Sequence, residues 1–132
     1  MTKGIRGAIT VKENTSKAIE ESTMELLSEM FEKNKLELNK ISHVIFTTTP
    51  DLNADFPAKF PRILLGWSEI AMMCYHELDV ENGLKKCLRI LLNINTNKTQ
   101  DEKDYEKLYN YVKSNQKENF DYVKFKKIVE AW

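Results

Sequence analysis

The sequence predicts an α/β (α+β) domain, a mixed β-sheet with helices packed on one face, followed by a helical C-terminal tail. Three observations carry that prediction. Residues 4–11 and 86–95 alternate apolar and polar side chains with the period of a strand. Residues 16–33 repeat apolar side chains with the period of a helix. From Asp101 onward the helical period returns and no strand pattern follows. Strands and helices interleaved over 132 residues suit one layered domain around a single core.

The first strand puts Ile5, Gly7, Ile9 and Val11 on one face, with Arg6, Ala8 and Thr10 on the other. Asn14-Thr15 offers a helix N-cap, followed by Glu20 and Glu21 early in the helix. Ile19, Thr23, Leu26, Leu27, Met30 and Phe31 form the apolar stripe of that helix, and its acidic face reads as solvated. Residues 41–49 are β-branched and aromatic enough for a second strand, which ends at the turn Pro50-Asp51-Leu52-Asn53. Residues 56–66 read as a short helix closed by Gly66. Pro61 complicates it. A start at Pro57 would lose a hydrogen bond at Pro61, whereas a later start puts Pro61 in the first turn, where proline is tolerated. Residues 70–78 are apolar enough for a buried third strand. Residues 86–95 place Leu88, Ile90, Leu92 and Ile94 on one face and Cys87, Arg89, Leu91, Asn93 and Asn95 on the other. In the tail, Tyr105, Leu108, Tyr109 and Val112, then Tyr122, Phe125, Val129 and Trp132, predict two short amphipathic helices. The organisation expected is a core over residues 1–100 and a helical tail over 101–132, part of the same domain or a lid on it.

Composition narrows the function. No run of about 18 apolar residues exists, so no transmembrane helix is expected. The N-terminal residues lack the apolar stretch of a secretory signal, and the two cysteines, Cys74 and Cys87, suit a reducing cytoplasm. With 20 basic and 20 acidic residues and a pI near 6.7, nucleic acid is not an expected partner. The neutrality is segregated, however. Residues 13–37 hold seven acids and three bases, and residues 85–98 hold four bases and no acid. The basic residues divide into 17 Lys and only three Arg: Arg6, Arg62 and Arg89.

Those arginines are the strongest chemical signal. His43 and His76 are far apart and no Cys or His pair has ligand spacing, so no metal is expected. His43 reads as a strand-surface residue. There is no phosphate-binding glycine loop and no nucleophile elbow. Cys74 and His76 would share a strand face without pointing at each other, and Cys74 reads as a small hydrophobe. Lys serves where any positive charge suffices, whereas guanidinium offers a planar fork matched to carboxylates. Arg6 lies amid Ile5 and Ile9, and Arg89 amid Leu88 and Ile90. An Arg in a mostly buried strand needs an anionic partner, and Glu77 is the internal candidate. Two readings stand at this point: an Arg–Glu network that only fixes the sheet, and an anion-binding cleft.

Longer motifs favour the cleft. Gly4-Ile5-Arg6-Gly7-Ala8-Ile9-Thr10-Val11 resembles the N-terminal strand of the AroH class of monofunctional chorismate mutases. Thr47-Thr48-Thr49-Pro50-Asp51-Leu52-Asn53-Ala54-Asp55-Phe56-Pro57-Ala58 resembles their central turn. Arg62, Gly66-Trp67, Met73-Cys74-Tyr75-His76-Glu77 and Gly83-Leu84-Lys85-Lys86-Cys87-Leu88-Arg89 continue the likeness in order, over about residues 3–100. The resemblance implies a cytoplasmic enzyme of aromatic amino acid biosynthesis that rearranges chorismate to prephenate without a cofactor. It implies a homotrimer shaped as a pseudo-α/β-barrel, with active sites between subunits and no membrane or nucleic-acid partner. By that likeness Arg6 pairs with a substrate carboxylate, Arg89 sits beside the ether oxygen of the breaking bond, and Glu77 accepts from the ring hydroxyl. Met73, Cys74, Tyr75 and His76 line the same stretch, and Phe56, Ala58, Lys59 and Arg62 match the part supplied by the adjacent subunit. The tail departs from the family: Lys107 falls where a substrate-contacting Tyr would align, flanked by Tyr105 and Tyr109. Other classes weighed against the enzyme are a non-catalytic trimer that binds chorismate or prephenate, or acts as an interaction module, and the trimeric imine deaminases. The Phe-Pro-Ala and Cys-x-x-Glu context does not suit the deaminases.

Overall fold

The computed structural model describes residues 1–97. The expected tail helices, with Tyr105, Lys107, Tyr109 and Trp132, lie outside the described residues. The elements run β1 (Thr2–Thr10), α1 (Ser16–Asn34), one 3-10 turn (Leu38–Lys40), β2 (Ile41–Thr48), α2 (Lys59–Leu64), β3 (Ala71–His76) and β4 (Cys87–Asn95). The strands form one mixed sheet in the order β1-β4-β2-β3. β4 is antiparallel to both neighbours, while β2 and β3 are parallel and connect through α2. This agrees with the mixed sheet expected from the sequence.

The register defines two rows across the face of the sheet away from α1. One runs Arg6, Leu91, Ile45, Met73; the next runs Ala8, Arg89, Thr47, Tyr75. The opposite face is the core. Ile5, Ile9, Val44, Phe46, Leu88, Ile90 and Leu92 are buried there with Ile19, Leu26, Leu27, Met30 and Phe31 of α1. Thr15 caps α1 by accepting from the Ala18 N–H at 3.1 Å. Its C-terminus closes on Lys35, left-handed at φ 50°, so that the Leu36 N–H reaches the Phe31 carbonyl at 3.0 Å.

Pro61 resolves as the later start: α2 begins at Lys59 and holds Pro61 in its first turn. Gly66, at φ +70°, then turns the chain so that buried Trp67 packs on Phe31, ring centroids 5.7 Å apart. Three expectations need correction. The third strand is not buried: β3 is the edge of the sheet, and its apolar residues Met73 and Tyr75 lie exposed on the face away from α1. Arg6 and Arg89 are likewise exposed on that face rather than sunk in a buried strand, because only the alternate residues of β1 and β4 face α1. The acidic face of α1 is only partly solvated. Glu21 and Glu32 are exposed, but Glu25 and Glu29 are buried and partnered, as a buried charge must be. Among the described residues no helix is long and apolar enough to cross a membrane.

The sheet and α1 approach closely at Gly7. A Cβ there would lie 2.8 Å from Met30 Sδ and 3.0 Å from Leu26 Cδ1, inside contact distance. Gly7→Ala is therefore expected to destabilise the fold by about 1–3 kcal/mol, toward the lower end because Met30 is flexible. The midpoint of urea unfolding, at unchanged slope, measures it.

Candidate active site

A cleft of about 460 Å³ opens on the sheet face away from α1, lined by Arg6, Ile45, Thr47, Glu77, Leu84 and Arg89 among others. Arg89 pairs across the ladder with Ala8, so Arg6 is its diagonal neighbour on β1. Diagonal neighbours have Cβ atoms roughly 7–8 Å apart, close enough for two long side chains to grip one small anion. Neither guanidinium is buried, and the Arg89 side chain is 53% exposed. Its Nη1 lies 3.7 Å from Glu77 Oε2, beyond hydrogen-bond length. An ion pair this open and loose contributes little to stability. The geometry therefore favours the anion-binding cleft over a network that only fixes the sheet.

Local contacts explain how these side chains are held. Glu77 follows β3, where its N–H donates to the Thr48 carbonyl at 2.8 Å and its Oε1 accepts from the Thr47 hydroxyl at 2.5 Å. The entry to β4 is fixed by Asp51. Both carboxylate oxygens accept from the Lys86 N–H, at 3.1 and 2.9 Å, and Asp51 also accepts from the Thr49 hydroxyl. Lys86 needs that anchor because it is left-handed, φ 47°. Burial pushes the Asp51 carboxyl up, but the Thr49 and Lys86 hydrogen bonds outweigh it and hold the group below the usual carboxylate range. Thr49 closes the same corner, its Oγ1 accepting from the Cys87 N–H at 3.0 Å. Arg89 thus leaves a rigid corner rather than a free loop.

A second cleft of about 390 Å³ lies beside β3, lined by Thr48, Asp55, Phe56, Cys74, Tyr75 and His76 among others. The His76 Nδ1 lies 3.2 Å from the Thr48 hydroxyl and 3.3 Å from the Thr48 carbonyl, so the ring is held to the end of β2. The segment preceding α2 is clamped to the loop after β1. Asn14 Oδ1 accepts from the N–H groups of Asn53 and Ala54, both at 3.0 Å, and its Nδ2 donates to Asn53 Oδ1 at 2.8 Å. Asp55 accepts from Ser16 Oγ at 2.6 Å, from Lys59 Nζ at 2.9 Å and from the Phe56 N–H at 2.8 Å. Those contacts, the Ser16 hydrogen bond foremost, pull the Asp55 carboxyl down from 3.8 to about 2.

The structure brings Arg6, Glu77 and Arg89 together. Met73 and Tyr75 share their sheet face but stand on the edge strand, where the Tyr75 hydroxyl donates to Met73 Sδ at 3.1 Å. Cys74 and His76 face the other way, into the second cleft with Phe56. Ala58, Lys59 and Arg62 cap and carry α2, and none of them lines the arginine cleft within one chain. His43 is on the strand surface, as expected. Burial raises the thiols of both Cys74 and Cys87, against the opposing pull of Arg62 and Arg89 respectively, which suits small hydrophobes rather than nucleophiles. Among the described residues no group of three or more His, Cys, Asp or Glu could hold a metal ion. Thr47 and Leu84 line the arginine cleft and were not singled out in the sequence. Parity alone puts Thr47 beside Ile45's face, but only the pairing with Arg89 reveals its place.

The chain is similar to known proteins over most of its length. Residues 2–118 match the family described as chorismate mutase type I. The chain is 40% identical over 102 residues to chorismate mutase AroH of Bacillus subtilis, covering 77% of this chain and 80% of that protein. It is 40% identical over 102 residues to chorismate mutase AroH of Thermus thermophilus, covering 76% and 83%. A solved chorismate mutase from Clostridium thermocellum superposes with a TM-score of 0.73 at 42% identity, covering 83% of this chain and 94% of that one.

Asp55 supplies a test of the clamp. Its carboxyl is lowered from 3.8 to about 2, so its contribution to stability is fully present above the unfolded value and is lost as pH falls through the folded one. A carboxyl-carbon NMR titration should place the Asp55 midpoint near 2, and Ser16→Ala should move it upward.

Proposed function

The chain belongs to the chorismate mutase type I family, the AroH class, and from that footing we propose that Arg6, Glu77 and Arg89 form its substrate site. The enzyme is a chorismate mutase, an isomerase. The observation that carries the site reading is the convergence of two arginines and one carboxylate on a single open cleft.

The reaction is a pericyclic rearrangement of a dianion: one C–O bond breaks, one C–C bond forms, and no nucleophile or proton transfer is required. The enzyme's task is to hold a flexible substrate in its compact reactive conformer and to favour the charge that develops as it reacts. Arg6, diagonal to Arg89 on the same face, pairs with a substrate carboxylate. Glu77 accepts a hydrogen bond from the ring hydroxyl. Negative charge grows on the ether oxygen as the C–O bond breaks, so the Arg89 guanidinium beside it stabilises the transition state more than the ground state. The loose contact with Glu77 leaves that guanidinium free to do so.

The remaining site residues suit an adjacent subunit. Phe56, Ala58, Lys59 and Arg62 stand outside the arginine cleft of their own chain, and Phe56 is 70% exposed. Met73, Tyr75 and Leu91 expose a further apolar surface on the sheet face that holds the arginines. A homotrimer that turns these faces inward, as a pseudo-α/β-barrel, would cover that surface and bring one chain's α2 to its neighbour's cleft. Cys74 and His76 would line the wall between them. The cytoplasm is the setting this chemistry suits.

Arg89→Ala is expected to lower kcat/KM by at least about 100- to 1000-fold, because it removes a charge as well as a preorganised donor. Arg89→Lys should recover only part of the loss. Loss of the ultraviolet absorbance of chorismate measures both, and retention within about tenfold in Arg89→Ala would refute the role, since one such donor alone is worth more. Light scattering should give a trimer. Refolding Arg89→Ala chains together with Arg62→Ala chains should restore part of the activity that each lacks alone, as sites shared between chains require.

A further inference from the structure

We infer that Thr47 is a positioning residue for the rearrangement: its hydroxyl holds Glu77 so that Arg89 stays out of a closed ion pair and remains available to substrate. The inference rests on the reading of Glu77 and Arg89 as substrate-contacting groups.

An arginine and a carboxylate within reach of each other often close into a two-bond fork when nothing else competes for the oxygens, and Arg89 of β4 and Glu77, just past β3, reach toward each other across β2. Here they do not close. Arg89 Nη1 and Glu77 Oε2 stand 3.7 Å apart, and Glu77 Oε1, the oxygen a fork would need, is taken by the Thr47 hydroxyl at 2.5 Å. Thr47 is well placed for this. It is the direct cross-strand partner of Arg89 on one side and of Tyr75 on the other, and it lines the same cleft. Its β-branched side chain is stiff at χ1, so the hydroxyl direction is set by the strand. The next residue holds the other end of Glu77, through the Thr48 carbonyl and the Glu77 N–H at 2.8 Å. Two consecutive residues of β2 therefore fix both the backbone and the carboxylate of Glu77.

Without the hydroxyl, Glu77 is free to swing onto Arg89. A guanidinium closed on an internal carboxylate offers less charge to the developing oxyanion, so the loss falls on kcat more than on KM. Thr47→Val keeps size and branching and removes the donor. It is expected to lower kcat by about 10- to 100-fold, the scale of a small misplacement of catalytic groups. Thr47→Ser, which keeps the hydroxyl, should restore most of it. In a Glu77→Gln background Thr47→Val should lower kcat less than about twofold further, because the two changes remove one arrangement.

Circular dichroism and thermal unfolding confirm that each variant is folded before kinetics are read. A folded Thr47→Val enzyme with wild-type kcat, beside an impaired Glu77→Gln enzyme, overturns the inference alone. So do losses in the double variant that multiply. A Glu77→Gln enzyme with wild-type activity overturns the reading of Glu77, and this inference falls with it.

Discussion

The site depends on where β4 enters the sheet. The last described strand inserts between β1 and β2, and this one pairing makes Arg89 a neighbour of Arg6 on one side and of Thr47 on the other. If β4 had been added at an edge, the two arginines and Glu77 could not share a face at short range. The insertion is held at its start by Asp51, whose carboxylate binds the left-handed Lys86, and at its centre by Leu88, Ile90 and Leu92 against α1. Core packing and site geometry are thus two faces of the same strand. Alternate residues lock it to α1, and the residues between them face the cleft.

The electrostatics follow from that placement. Within one chain the open sheet face lets two cations sit side by side because water and a nearby carboxylate attenuate their repulsion, and in the proposed trimer a bound dianion takes over that part. Glu77 is close enough to moderate the field of Arg89 but too far to saturate it. A tighter pair would hold the fold no better, since an open ion pair contributes little, and would leave less charge for an anion. The overall balance of 20 basic and 20 acidic residues says nothing of this. What matters is that the acids gather in residues 13–37, largely on α1, whereas Arg89 belongs to a stretch, 85–98, whose sequence carries no acid, and its side chain lies on the sheet face away from α1.

Much of this was legible from periodicity. The alternation of residues 86–95 identified the strand and the correct inward face, because a period of two survives in any half-buried strand. The arginines stood out because Lys is so common here. What periodicity cannot carry is pairing. The order β1-β4-β2-β3 and the row Ala8, Arg89, Thr47, Tyr75 arise from contacts between residues far apart in sequence, so Thr47 stands in a motif whose sequence does not show its place beside Arg89. The misreading of β3 as buried has a related cause. Apolar composition alone does not separate a core strand from an exposed apolar face, and Met73 and Tyr75 belong to an exposed face whose apolar character matches an interface as well as a core. Pro61 was the opposite case. A rule of backbone chemistry bounded the start of α2 before any contact was known.

β3 shows why the register of a single short strand matters here. Met73 and Tyr75 share the sheet face of the arginines and Glu77, just past the strand, lines their cleft, while Cys74, Tyr75 and His76 line the second cleft. The edge strand and the residue after it therefore serve two clefts, and a slip of one residue would withdraw Glu77 from Arg89. An edge strand has a partner on one side only, so its register is less constrained than that of β4. Contacts at its C-terminal end compensate. The Glu77 N–H binds the Thr48 carbonyl, the Glu77 carboxylate binds the Thr47 hydroxyl, and the His76 ring binds Thr48. All three would break together on a one-residue slip. The threonine run 47–49 that ends β2 and opens the next turn is consequently more than a β-favouring stretch. It sets the register of β3 through Thr47 and Thr48 and the entry of β4 through Thr49, and so fixes the carboxylate and the guanidinium of the cleft from one place.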